Sequence, residues 1–103
     1  MSRPLSLSVP AQAELREAVA WYEARAPGLG REFLNAARTC FRRISTHPGA
    51  GSLIPDAPPE ASGARRLRLW RFPYAVVYIE LKTELRVLAL AHDRRAPGYW
   101  RNR

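Results

Sequence analysis

Pro27-Gly28 separates two stretches of helical periodicity, and no other feature limits the fold of this chain as much. Before the break, Ala11, Leu15, Ala18, Val19 and Tyr22 recur at helical spacing, with Glu14, Arg16, Glu17, Glu23 and Arg25 mostly on the other side. The run Ala-Glu-Leu-Arg-Glu-Ala favours a helix from Ala11 to Ala26. After the break, Phe33, Ala37, Cys40, Phe41 and Ile44 form the apolar stripe of a second helix, from about Leu29 to Thr46. So short a connection makes the two an antiparallel hairpin. Both stripes then need one surface to bury against.

The remaining segments supply that surface. Leu5 to Val9 alternates apolar and polar, as a half-buried strand does, and Pro10 ends it. Arg65 to Trp70 alternates again, with Leu67 and Leu69 on one face and Arg66, Arg68 and Trp70 on the other. Tyr74 to Leu81 is strongly β-forming, Lys82-Thr83-Glu84 is a polar turn, and Leu85 to Ala91 is the next strand. The order strand, helix, helix, strand, strand, strand predicts one α+β domain over residues 1–103: an N-terminal strand, the hairpin, then a three-stranded antiparallel meander. His47-Pro48 closes the second helix, with His47 at its negative end. Gly49 to Gly63, with Pro55, Pro58 and Pro59, shows no periodicity and reads as a loop, not as a domain linker, because the strands beyond it need something to pack on.

Composition excludes several classes of function. Cys40 is the only cysteine and lies on the helical stripe, so it reads as core and forms neither a disulfide nor a cysteine zinc site. No metal or cofactor motif is present. No signal-peptide core and no run of membrane-spanning length occurs, so the expected setting is the cytoplasm, without membrane contact.

Charge is distributed unevenly. Residues 1–64 hold seven Arg against six Asp/Glu, net +1; residues 65–103 hold nine Arg and Lys82 against Glu80, Glu84 and Asp93, net +7. Sixteen of the 17 basic residues are Arg, whose planar fork binds phosphate or carboxylate bidentately; codon bias of a GC-rich genome accounts equally well for that ratio, though not for the clustering. The chain ends His92-Asp93-Arg94-Arg95-Ala96-Pro97-Gly98-Tyr99-Trp100-Arg101-Asn102-Arg103. With the helices on one face of the sheet, the open face and this tail should form one arginine-dense platform for a macromolecular partner.

Three blocks, in order along the chain, carry a family resemblance. They are Glu17 to Glu23 with Pro27 to Phe33, Arg65 to Arg68 with Arg71-Phe72-Pro73-Tyr74-Ala75-Val76-Val77-Tyr78, and His92 to Trp100. Together they resemble the RelE/ParE superfamily of bacterial toxins, and particularly its ParE-like, plasmid-stabilisation branch. The resemblance implies a helical hairpin on a small twisted sheet, and a toxic activity held in check by a cognate antitoxin with an acidic or amphipathic tail. It leaves two activities open: inhibition of DNA gyrase, as in ParE-like members, or cleavage of mRNA on the ribosome, as in RelE-like members.

Metal-independent RNA cleavage needs a base for the 2′-hydroxyl, an acid for the leaving oxygen and cations on the phosphorane. His92, Arg95, Tyr99, Arg68 and Arg71 have suitable chemistry. RelE-like ribonucleases usually carry Lys near the stretch occupied here by Arg65, Arg66 and Arg68, and a permanently protonated Arg is a poor acid or base. The leading expectation is therefore a gyrase inhibitor that binds target and antitoxin through Arg66, Arg68, Arg71, Arg94, Arg95, Tyr99, Trp100, Arg101 and Arg103. Structural roles compete: His92 as a hydrogen-bonding pivot for the tail, Tyr99 and Trp100 as residues that pack it. Direct DNA binding lacks a reading element such as a helix-turn-helix.

Overall fold

Ser8 and Pro10 belong to the first helix rather than to the strand before it. In the computed structural model, which describes residues 3–103, β1 is Leu5–Leu7 and α1 is Val9–Arg25. Ser8 caps α1 by accepting a hydrogen bond from the Ala11 N–H at 3.2 Å, and Pro10 fills the first turn, where its missing donor costs nothing. The strand therefore stops two residues short of the predicted Val9.

The hairpin forms as the spacing predicts. Gly28, at φ 88°, begins α2, Leu29–Thr46. Glu23 of α1 caps α2, its carboxylate accepting from the N–H groups of Gly28 at 3.0 Å and Gly30 at 3.0 Å. Gly30 marks the closest approach: a Cβ there would lie 2.6 Å from the Val19 carbonyl oxygen.

The sheet has five strands in the order β1-β5-β4-β3-β2, with β2 Ser52–Leu53, β3 Arg65–Arg68, β4 Tyr74–Glu80 and β5 Leu85–His92. The meander β3-β4-β5 is antiparallel, and β1 pairs with β5 in parallel, Leu5 against Leu85 and Leu7 against Val87. The predicted loop 49–63 is only partly a loop, because it contributes β2, which pairs with Arg65 and Arg66. Strand β3 ends at Arg68 rather than Trp70, where the chain turns through Arg71 at φ 76°.

The hairpin buries Ala11, Ala18, Phe33, Ala37, Cys40 and Ile44 against Leu69, Val76, Tyr78, Leu85, Val87 and Leu90. The opposite face of the sheet is not open, contrary to the sequence expectation. Val77, Leu88 and Ala89 project there and are covered by Ala61 and Ala64 of the loop and by Trp100 of the tail. A bulge produces this arrangement. Val77 faces Ala89 while Tyr78 faces Val87, leaving Leu88 as the extra residue. The bulge turns Leu88 and Ala89 to the second face and returns Leu90 to the helices. It also sets His92 beside Tyr74, with ring centroids 5.0 Å apart.

Tyr78 ties the loop to the sheet. Its fully buried hydroxyl donates to the Pro48 carbonyl at 2.6 Å and accepts from the Gly51 N–H at 2.9 Å. Tyr78→Phe strands both groups and should lower unfolding free energy by about 1–3 kcal/mol in urea denaturation. A loss within error of zero would contradict this account of the loop.

Candidate functional site

Two grooves flank the hairpin. The first runs between α2 and β3. Strand β2 covers only Arg65 and Arg66, so Leu67 and Arg68 lie past its end. The space, about 440 Å³, has Ala36, Cys40, Leu67 and Phe72 among its lining and Arg43, Arg68 and Arg71 as its cations. Trp70 stands over it at 77% exposure, and Arg71 pairs with Glu32 at 2.7 Å. Cys40 is a wall of the groove and not a nucleophile. Burial pushes its thiol up to about 11, against the opposing charge of Arg43, so it is protonated at neutral pH.

The second groove, about 600 Å³, lies between α1 and the end of β5 and brings together Trp21, Tyr74, His92, Arg94, Arg95 and Tyr99. His92 accepts the Arg94 N–H on Nδ1 at 3.0 Å. The Tyr99 hydroxyl donates to Glu14 Oε2 at 2.7 Å, and Arg95 lies over the Tyr99 ring at 3.9 Å. Burial raises the Tyr99 phenol well above its ordinary range, and the hydrogen bond to Glu14 and its charge add to the rise.

The predicted contact residues divide into three environments. Arg66, Arg68 and Arg71 are exposed around β3, but Arg68 grips Asp93 bidentately at 3.0 and 2.9 Å, with Arg66 at 4.0 Å from the same carboxylate. Arg94, Arg95 and Arg101 are exposed and make no ion pair among the described residues. Trp100, at 5% exposure, belongs to the second core, and Arg103 is turned inward to Glu14 at 2.8 Å. Trp100 therefore offers no free surface to a partner, because the apolar second face needs it as cover. The expected single platform is instead a β3 cluster and a tail cluster, joined through Asp93.

The nuclease candidates divide similarly. His92, Arg95 and Tyr99 line the second groove, whereas Arg68 and Arg71 line the first.

Residues overlooked at the sequence level include Glu14, Arg43 and Asp93. Glu14 had a legible signal: it stands three positions after Ala11 and four before Ala18, inside the buried stripe rather than opposite it. Asp93 has no comparable signal, since its partner Arg68 is 25 residues away.

This arrangement of hairpin and sheet recurs in toxin–antitoxin assemblies. The chain is similar to a structure of the chromosomal ParDE toxin–antitoxin system from P. aeruginosa, at TM-score 0.73 and 18% identity, covering 88% of this chain and 96% of that one. It is also similar to the toxin–antitoxin complex RelBE2 from Mycobacterium tuberculosis, at TM-score 0.60 and 18% identity, covering 89% and 92%. These likenesses define a RelE/ParE-type fold. Residues 5–97 match the family described as ParE toxin of type II toxin-antitoxin system, parDE, and the chain belongs to that family. No individual curated protein matches significantly.

The Arg68–Asp93 clamp predicts an acid response. Hydrogen bonding from Arg68, then the charges of Arg68 and Arg66, holds the Asp93 carboxyl below its usual range. Its stabilisation is thus complete above the unfolded value, near pH 4, and lost as pH falls through the folded one. Asp93→Asn should flatten the decline of the urea midpoint below about pH 4. Part of the slope should persist, because Ser6 and Arg86 also hold Glu84 low. Superimposable acid limbs for variant and wild type would refute the clamp.

Proposed function

We propose that this ParE-family chain is a toxin that inhibits DNA gyrase through protein contact and is neutralised by a cognate antitoxin. The observation that carries the reading is the state of Tyr99. Its hydroxyl is committed to Glu14 and its ionisation is suppressed, so the phenol is poorly suited to serve as a base in RNA cleavage. Arg71 lines the other groove and Arg68 is committed to Asp93, so neither guanidinium is free to join His92, Arg95 and Tyr99 on a phosphate. Binding a protein target requires no such convergence. The exposed arginines Arg94, Arg95 and Arg101 suit an acidic patch, and their charge would speed encounter more than it would tighten the complex. This reading puts the toxin in the cytoplasm, where gyrase works.

The groove between α2 and β3 is the better place for the antitoxin than the sheet face that the charge pattern first pointed to, because loop and tail already cover that face. The groove's apolar floor and its cations Arg43, Arg68 and Arg71 fit an amphipathic segment carrying carboxylates on one side.

Purified toxin should block supercoiling by gyrase or trap cleaved DNA at micromolar concentration, and should leave mRNA uncut in a translating extract. Codon-positioned cuts with unaffected supercoiling would establish the ribonuclease instead. For the antitoxin, Trp70→Ala should weaken binding about tenfold or more, as loss of an exposed aromatic anchor does, without changing stability. Unaltered affinity would move the antitoxin elsewhere.

A further inference from the structure

Strand β1 protects only part of the β5 edge. Its register ends at Leu7 opposite Val87, and Ser8 N–H closes the ladder on the Val87 carbonyl at 2.9 Å. Beyond that point side chains take the place of a strand. The Leu88 carbonyl accepts from Ser8 Oγ and from Arg103 Nη1, both at 3.2 Å. The Leu90 N–H donates to Glu14 Oε1 at 3.1 Å. The same oxygen accepts from Arg103 Nη1 at 2.8 Å, while Oε2 takes the Tyr99 hydroxyl at 2.7 Å.

Glu14, on α1, thus ties the helix to both the strand edge and the tail. Its side chain is 14% exposed and that of Arg103 is 17% exposed, so each charge depends on the other for compensation. The effect extends outward. Arg95 stacks on the Tyr99 ring that Glu14 holds, and the Arg95 N–H is fixed to the His92 carbonyl at 3.0 Å. Trp100 gives the tail a second hold, but an apolar one, without the directionality of a hydrogen bond.

We propose that Glu14 is a positioning residue: by clasping Tyr99 and Arg103 it straps the C-terminal segment across the unpaired half of β5 and orients Arg95, stacked on the Tyr99 ring, for a macromolecular target. Glu14 itself touches no target. The strap is independent of the function proposed above; the role assigned to it rests on the chain being a toxin.

The test uses the full-length chain with Glu14→Gln, Arg103→Gln and Arg103→Lys. Two readouts are amide hydrogen exchange and growth arrest on induction without antitoxin, the latter read whichever target is correct. Glu14→Gln and Arg103→Gln should speed exchange at Leu90 and Tyr99 to Arg103 about tenfold and leave Val76 and Val87 protected. Arrest should weaken correspondingly, and Arg103→Lys, which keeps charge and donor, should behave as wild type. Should Glu14→Gln loosen the core as well, Arg103→Gln, which leaves α1 intact, decides the matter. Unchanged exchange in the tail would overturn the strap. A loosened tail with full arrest would overturn the positioning role and leave the gyrase reading standing. Arrest by the wild type without inhibition of gyrase would overturn that reading and leave the strap intact.

Discussion

Strands β4 and β5 must be covered on both faces, and most of the structure follows from that requirement. Val76, Tyr78, Leu85, Val87 and Leu90 face the hairpin, while Val77, Leu88 and Ala89 face away from it. A two-helix layer protects only one side, and apolar side chains left in water on the other would oppose folding. The loop carrying Ala61 and Ala64 and the tail carrying Trp100 supply the second cover. The segment that bears much of the basic charge is therefore also a structural segment, which explains why only some of its residues remain available to a partner.

The charge asymmetry along the sequence is partly cancelled in space. Acidic residues from the nearly neutral first part of the chain reach the basic second part: Glu14 meets Arg103 and Glu32 meets Arg71. Asp93 neutralises Arg68 within the basic part itself. The exposed pairs contribute little to stability. Their effect is on presentation, since they fix where a guanidinium points. Among the basic residues of the second part that make no ion pair in the described residues, Arg94, Arg95 and Arg101 lie together on the tail, with the β3 arginines across Asp93. A ParE-family chain built this way has two distinct surfaces, an apolar-floored groove between α2 and β3 and a basic tail.

Periodicity made the hairpin, the meander and the inward Leu67 and Leu69 legible, because each depends on residues a few positions apart. The second core was less legible, although a signal existed: Tyr74 to Leu81 and Leu85 to Ala91 are too uniformly apolar for strands with one wet face. Strand β2 was hidden among prolines and glycines, and the bulge at Leu88 reverses the side-chain alternation that a strand reading assumes. At the candidate site the residue types were visible and their commitments were not. Tyr99 and Arg103 looked free because Glu14 lies 85 and 89 residues from them, a separation that no local pattern encodes.

Two-sided burial is tested most directly by comparing Trp100→Ala with Trp70→Ala in equilibrium denaturation, since these tryptophans are 5% and 77% exposed. Removing the buried ring should cost about 3–5 kcal/mol, enough to unfold much of a marginal domain, while removing the exposed one should change stability by less than about 0.5 kcal/mol. Equal and small losses would mean that the tail does not close the second face.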